Sequence, residues 1–530
     1  MVSIKWLGRV LLTMLPLLPF VARGDDPPSA EPGRPFAIEV VDEQTGRGVP
    51  LVELQTTYGA RYYTDSAGLV AFQEPGLMGR KVFFSVASHG YEFAPDGFGI
   101  RGVALETRPG GSAKLKIKRL NIAERLYRIT GYGTYRDSVL VGRKPPVAEP
   151  LLNAEVTGQD SVLTAVYGDR VFWFYGDTGR LAYALGNFAT SGATTGPPAS
   201  LDPERGLDLK YFVGEDGFSR PMAKMEGEGV VWLSGAVVLP DEEGRERLLA
   251  YFQRRRGLEA LLEHGFVEFD DASDQFRKVL TLPNESALVP PGPTGHPFRV
   301  ERDGVAYIYF TAPYPVLRVK ADRASYLDPS SYESYTCLKA GTRDAGKDGA
   351  GLERDSEGKL VWAWKRGASP LDPKAQRELV AAGKMKREES PLRLQDAESG
   401  KPILLHGGSC HWNDFRKKYV MIASEILGAT TLGEVWYSEA DRPEGPWTLA
   451  RKIITHANKP GDPHDFYNPT QHPFLDREGG RFIYLEGTYV NTFSGNTHPT
   501  PYYEYNQILY KLDLADPRLK LAGEDGESTR

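Results

Sequence analysis

The chain has 530 residues, 41% of them hydrophobic and 25% charged, a balance ordinary for a globular protein and too apolar for wholesale disorder. Its 64 Lys and Arg face 70 Asp and Glu, so no basic excess is present to neutralise phosphates and nucleic acid is not an expected partner. One apolar run alone is long enough to consider as a membrane element, and it opens the chain.

Lys5 and Arg9 precede the run Val10 to Val21, and Ala22-Arg23-Gly24 follows it. A charged head, 12 apolar residues and small residues behind them predict a secretory signal peptide over 1–24. The run is short of the roughly 20 residues that span a bilayer. Pro16 and Pro19 also suit a permanent helix poorly, although an uncleaved anchor is the alternative. Cleavage leaves 61 basic against 70 acidic side chains, an acidic protein of the periplasm or exterior with no integral membrane segment. Export permits a disulfide between Cys337 and Cys410, but two cysteines make no scaffold, and two separate buried thiols read equally well.

After a Pro-rich leader, residues 36–118 read as short strands broken by turns. Ala37-Ile38-Glu39-Val40-Val41 runs into Asp42-Glu43-Gln44-Thr45-Gly46-Arg47-Gly48-Val49-Pro50, and Leu51-Val52-Glu53-Leu54 then alternates as a half-buried strand does. The turn Thr64-Asp65-Ser66-Ala67-Gly68 leads into Leu69-Val70-Ala71-Phe72, and Lys81 to Val86 is followed by His89-Gly90-Tyr91. Glycines allow φ > 0 in such turns and acids bond their own backbone there. The succession resembles the transthyretin-like or carboxypeptidase-regulatory-like β-sandwich appended to secreted enzymes. These motifs are structural, and the module is expected to carry no chemistry.

Residues 119–149 are expected to connect this sandwich to the rest, though Tyr127 to Leu140 alternates enough to donate a strand. Residues 150–514 read as nearly all β, and 515–530 as a polar tail. Helical patterning appears at Leu258 to Glu263 and at 373–382, where Asp372-Pro373 supplies a cap and a first-turn proline and Gly383 a stop. Residues 340–400 hold most of the charge clusters and read as an excursion from a repeat.

The repeat organises the chain. Gly295-His296-Pro297-Phe298, then Asp303-Gly304, then Tyr307-Ile308-Tyr309-Phe310 is matched by Gln471-His472-Pro473-Phe474, Gly479-Gly480 and Phe482 to Glu486. Asp160 to Asp177, Ser234 to Phe252 and His411 to Ala423 keep the same plan of strand, turn and aromatic strand. Openings at 160, 234, 296, 411 and 472 predict five sheet modules without intervening helices. The fold class is therefore all-β, a small N-terminal β-sandwich followed by a five-bladed β-propeller.

In a propeller the first strand of each blade lines the central channel, so Asp160, Ser234, His296, His411 and His472 are expected to converge. Asp177, Glu425 and Glu486 follow the returning strands. Separated acids around one channel are the ingredients of glycoside hydrolysis, in which one carboxyl stays protonated for the leaving oxygen while another is ionised. From Asn153 onward the chain resembles the arabinanase-type five-bladed glycosidases, by blade count and by Gln159-Asp160-Ser161 opening the first blade. The resemblance implies that Asp160 is base or nucleophile and that a later Glu, Glu486 or Glu425, is the acid. It also keeps His296 and His472 in play as acids. Ser234 departs from the pattern, standing where an Asp would tune the acid.

Asp465 to Gln471 places Tyr467 and Asn468 before His472 as sugar contacts, and Trp362 and Trp364, two apart, share a strand face that suits stacking. His296, His411 and His472 could hold a channel cation, Ca²⁺ or another divalent ion, yet no metal-binding spacing such as H-E-x-x-H occurs. No P-loop, dinucleotide motif or G-x-S-x-G elbow is present. The expected function is secreted glycoside hydrolysis of a poly- or oligosaccharide. The alternatives are a non-catalytic propeller that binds polysaccharide or a surface partner, and a polysaccharide lyase.

Overall fold

The computed structural model describes residues 33–283, 292–311, 313–346, 348–459 and 462–521. The expected signal segment and most of the polar tail lie outside these. Two four-stranded sheets open the fold. One holds Phe36–Asp42 between Leu69–Phe72 and Ser112–Arg119, with Tyr91–Glu92 at its edge. The other orders Arg61–Tyr63, Glu53–Thr56, Lys81–Ala87 and Gly102–Glu106. Period-two alternation turns Ile38, Val40, Leu54, Phe72, Phe84 and Ile117 into one core between them. The turns behave as their acids require: Asp42 Oδ1 accepts from Gln44 N at 2.7 Å and Asp65 Oδ1 from Ala67 N at 2.9 Å.

Five further sheets form the propeller, antiparallel throughout except for one parallel edge strand in blade four. Their inner strands are Val162–Tyr167, Val230–Pro240, Phe298–Arg302, Leu405–Asn413 and Asp465–Gln471. The second strands are apolar on both faces because each blade packs between two others. In Arg170–Tyr175, Phe172 and Phe174 enter the core shared with blade two, beside Ala250 and Phe252. Val171, Trp173 and Tyr175 face the other way, onto Tyr484 and Leu509 of blade five. Blade four divides alike, Met421 and Ala423 toward blade three, Val420 and Ile422 toward blade five. These shared cores run from blade to blade and close the ring.

The outermost strand of blade five is Glu124–Arg128, which pairs antiparallel with Asn506–Asp513. The ring is thus closed by residues that precede blade one. Arg125 on this strand is buried and donates Nε to Tyr510 Oη at 3.1 Å. It also donates Nη1 to Pro50 O and Ser88 Oγ at 3.0 and 3.1 Å and Nη2 to His89 O, binding sandwich to propeller.

Helix Pro373–Ala381 forms as its signals predict, with the Asp372 side chain accepting from Ala375 N and Gly383 at φ +67°. The helical expectation at Leu258 to Glu263 is corrected. Gly257 turns at φ +63°, Leu258 sits at an exposed hairpin tip, and Ala260–Asp270 is a strand paired on both sides. Cys337 and Cys410 are separate buried thiols.

Candidate functional site

At one mouth of the channel a cavity of 490 Å³ opens among all five blades. Asp160 and Asp177 line it, with Ser161, Trp232, Ser234, His296, Gly407 and Asn468. Asp160 stands between the short strand Val156–Gln159 and the inner strand of blade one, and Ser161 turns the chain there at φ +44°. Asp160 N donates to Asp177 O at 3.1 Å, and Gly176 N donates to Asp160 O at 2.9 Å, so backbone bonds hold the two acids as neighbours. Gly176 is required: a Cβ there would lie 2.2 Å from Asp160 Oδ1.

Tyr467 donates its hydroxyl to Asp160 Oδ2 at 2.9 Å, while Oδ1 is buried without a hydrogen-bond partner among the described residues. Burial raises the Asp160 carboxyl above its ordinary range, and the Tyr505 and Tyr467 hydroxyls oppose that rise. Asp177 is pushed up to about 6, by burial first and then by the charge of Asp160. Asn468, at φ +49° on a bulge in blade five, donates Nδ2 to Ser161 Oγ at 2.8 Å. Gly407 leaves room for it, since a Cβ there would meet Asn468 Oδ1 at 2.5 Å. Ser234 Oγ accepts from Gly295 N at 3.0 Å, fixing the loop that carries His296.

The expected convergence of the five openings is corrected. Asp160, Ser234 and His296 line the mouth, but His411 lies deeper in a 300 Å³ chamber that His296 also reaches. His411 is the seventh residue of its strand, and His472 follows the end of Asp465–Gln471. Bulges between Leu405 and Gly408 and between Tyr467 and Thr470 instead bring Gly407 and Asn468 to the mouth. Burial holds His296 down to about 4 and His411 down to about 3, with the neighbouring imidazoles contributing less.

Neither expected Glu reaches this pocket. Glu486 is fully buried, its Oε1 3.4 Å from His472 Nε2, at the seam of blades five and one where Tyr127, Tyr175 and Tyr211 feel its charge. Its strand turns that side chain into the blade interface and away from the channel. Glu425 ends the second strand of blade four and accepts from Trp436 Nε1 at 2.8 Å, outside the cavity lining. Trp362 is likewise removed as a sugar platform: it stacks on Tyr335 and donates Nε1 to Glu389 O at 2.9 Å. Trp364 donates to Glu444 Oε1 at 2.8 Å. Sequence reasoning missed Tyr505, which a loop delivers, and Trp232, which shares a strand face with Ser234 and was legible by period two.

A divalent cation in the channel does not fit a shell made of these side chains. Among the described residues no group of three or more His, Cys, Asp or Glu is arranged to hold a metal ion.

Fold and site together define a five-bladed propeller with a carboxyl-bearing pocket at its axis. No protein-family model and no curated protein matches the chain. Among solved structures it is similar to the exo-β-1,3-galactanase of Phanerochaete chrysosporium with β-1,3-galactotriose, at 9% identity and a TM-score of 0.35, covering 75% of this chain and 67% of that one. It is also similar to the endo-1,5-α-L-arabinanase of Thermotoga petrophila RKU-1, at 9% identity and a TM-score of 0.31, covering 67% and 72%. The GH43_1 enzyme of Xanthomonas citri with xylotriose gives 12% identity and a TM-score of 0.31, covering 68% and 88%.

Proposed function

We propose that the protein hydrolyses glycosidic bonds of a neutral poly- or oligosaccharide, and that Asp160 and Asp177 are its acting carboxyls. The observation that carries this reading is their placement side by side in one open pocket of 490 Å³, a size ordinary for a ligand site. Two adjacent carboxyls resist ionising together, so one keeps a proton in weakly acidic solution. Asp177, held up to about 6, is the donor. Its proton passes to the glycosidic oxygen as the carbon–oxygen bond breaks. Asp160, kept available as a carboxylate by the hydroxyl of Tyr467, takes the proton of the attacking water or attacks the anomeric carbon itself.

The lining supports a neutral substrate. Among the described residues it includes no Lys or Arg, and His296, held down to about 4, is uncharged near neutral pH, so none of them offsets the charge of a uronate. That weighs against the lyase alternative, which must stabilise a carboxylate and its enolate-like intermediate. Export, expected from residues 1–24, is part of the same proposal.

Incubating the purified chain with arabinan, xylan and galactan and measuring released reducing ends tests it. Product from the wild type and none from Asp160→Asn is the expected result. Undiminished turnover by that variant removes the assignment. A binding-only propeller is the second reading, favoured by blade two, which brings Ser234 in place of an acid to the mouth. Retention on a polysaccharide without product release selects it.

A further inference from the structure

The excursion after blade three builds a second cavity, of 240 Å³, between helix Pro373–Ala381, the strand Leu392–Asp396 and residues 402–405. It lies on the outer edge of blade four, where Leu392–Asp396 pairs in parallel with Trp447–Thr455. Val380, Leu392, Leu394, Ile403 and Leu405 give it an apolar floor. Arg377, Arg387 and Arg393 complete its wall, and among the described residues no carboxylate lines it.

Several other cations of the excursion sit on carboxylates: Lys365 on Glu353 at 2.6 Å, Arg354 on Glu389 at 3.2 Å and Lys374 on Glu378 at 3.9 Å, while Lys384 donates Nζ to Gly346 O at 2.7 Å. The three arginines of the groove have no carboxylate partner among the described residues. Arg393 donates Nη1 to Ser390 O at 2.7 Å and Arg377 donates Nη1 to Pro373 O at 3.2 Å, which leaves most of their five N–H donors free. The walls are also fixed in advance. Ser390 Oγ donates to Gln376 Oε1 at 2.8 Å, tying the helix to the start of the strand. Leu379, on another face of the helix, packs in a separate small core with Cys337, Leu352 and Met385.

We propose that this groove binds an anionic amphiphile, an alkyl or acyl chain lying on the apolar floor with its carboxylate, sulfate or phosphate head held by the arginines. Guanidinium forks bind such heads in pairs of charge-assisted hydrogen bonds, and the floor supplies what an inorganic anion cannot use. The site is separate from the channel, so its test needs no glycan.

Isothermal titration of the full chain with decanoate is expected to give saturable one-site binding. Octanoate should bind roughly tenfold more weakly for the loss of two methylenes. Arg387→Gln with Arg393→Gln should weaken decanoate about tenfold or more, at an unchanged melting temperature. Val380→Asp should weaken it through the floor. Co-sedimentation with phosphatidylglycerol vesicles would identify a lipid headgroup as the natural source, whereas decanoate binding without sedimentation would identify a free acid. Absence of saturable decanoate binding, or equal binding of decyltrimethylammonium, overturns the proposal.

Discussion

The hydroxyl of Tyr467 donates to Oδ2 of Asp160 across the seam where blade five meets blade one. The bond positions the carboxylate and favours its charged form. Tyr467→Phe should therefore keep the fold and lower kcat about 10–100-fold, the value of one hydrogen bond to a charged group. Removing a bond that lowers the Asp160 pKa raises it, so the acid limb of the pH–rate profile should move to higher pH. An unmoved limb with unchanged kcat would show that the bond has no part in turnover.

Asp177 must be protonated to act as donor, and burial beside Asp160 holds it up to about 6. Activity should fall as pH rises past about 6, giving an optimum on the acid side of neutrality. Asp177→Asn should depress hydrolysis of unactivated glycans by about 100-fold or more while sparing aryl glycosides with good leaving groups. Glu486→Gln and Glu425→Gln should leave that leaving-group dependence unchanged, because neither side chain lines the pocket. Selective loss of poor leaving groups in Glu486→Gln would return the donor role to the buried Glu.

The propeller was legible because each second strand must be apolar on both faces, and Val171 to Tyr175 and Phe482 to Leu485 carry that pattern. Asp160 and Asp177 were legible as acids flanking an aromatic strand that returns to the channel. The depth of His411 and His472 was not. Matching histidine–proline pairs aligns the chain by its turns, whereas bulges at Gly408 and before Thr470 set which residue meets the mouth. Glu486 was misplaced for a related reason: alternation says that a side chain changes face, not which neighbouring blade that face meets. Tyr505 carries no local pattern, since only the closure of the loop ahead of Asn506–Asp513 brings it to Asp160.

His89 of the sandwich and His456 and His464 of the propeller pack together at the seam, their rings against Tyr489 and close to Arg125, Lys459 and Asp462. Burial lowers all three below the ordinary value of 6.5. Above that value folded and unfolded histidines are both neutral. Below it the unfolded chain takes up protons that the folded one refuses, so stability is lost as pH falls, by about 1 kcal/mol per histidine per pH unit. Guanidinium unfolding at pH 7, 6 and 5 should show this decline, and His89→Gln should make it shallower. An identical slope in that variant would place the acid sensitivity elsewhere.

Arg125 makes the sandwich and the ring dependent on each other. A chain beginning at Arg119 keeps the closing strand Glu124–Arg128 but removes Pro50 O, Ser88 Oγ and His89 O, so that among the described residues the Arg125 side chain keeps only its bond to Tyr510 and its guanidinium is opened to water. It also uncovers Tyr503, whose hydroxyl donates to Thr64 O at 2.6 Å and accepts from Leu51 N at 3.0 Å. Each hydrogen bond to a charged group that is lost in this way is worth about 1.5–3 kcal/mol, less what water returns. The shortened chain should therefore keep its β signal and its pocket but melt at a clearly lower temperature. A chain beginning at Ile129 loses the closing strand and exposes the edge of Asn506–Asp513, and it should show no cooperative transition by near-ultraviolet circular dichroism. Equal melting temperatures for the full chain and the one beginning at Arg119 would show that the sandwich adds nothing to the ring.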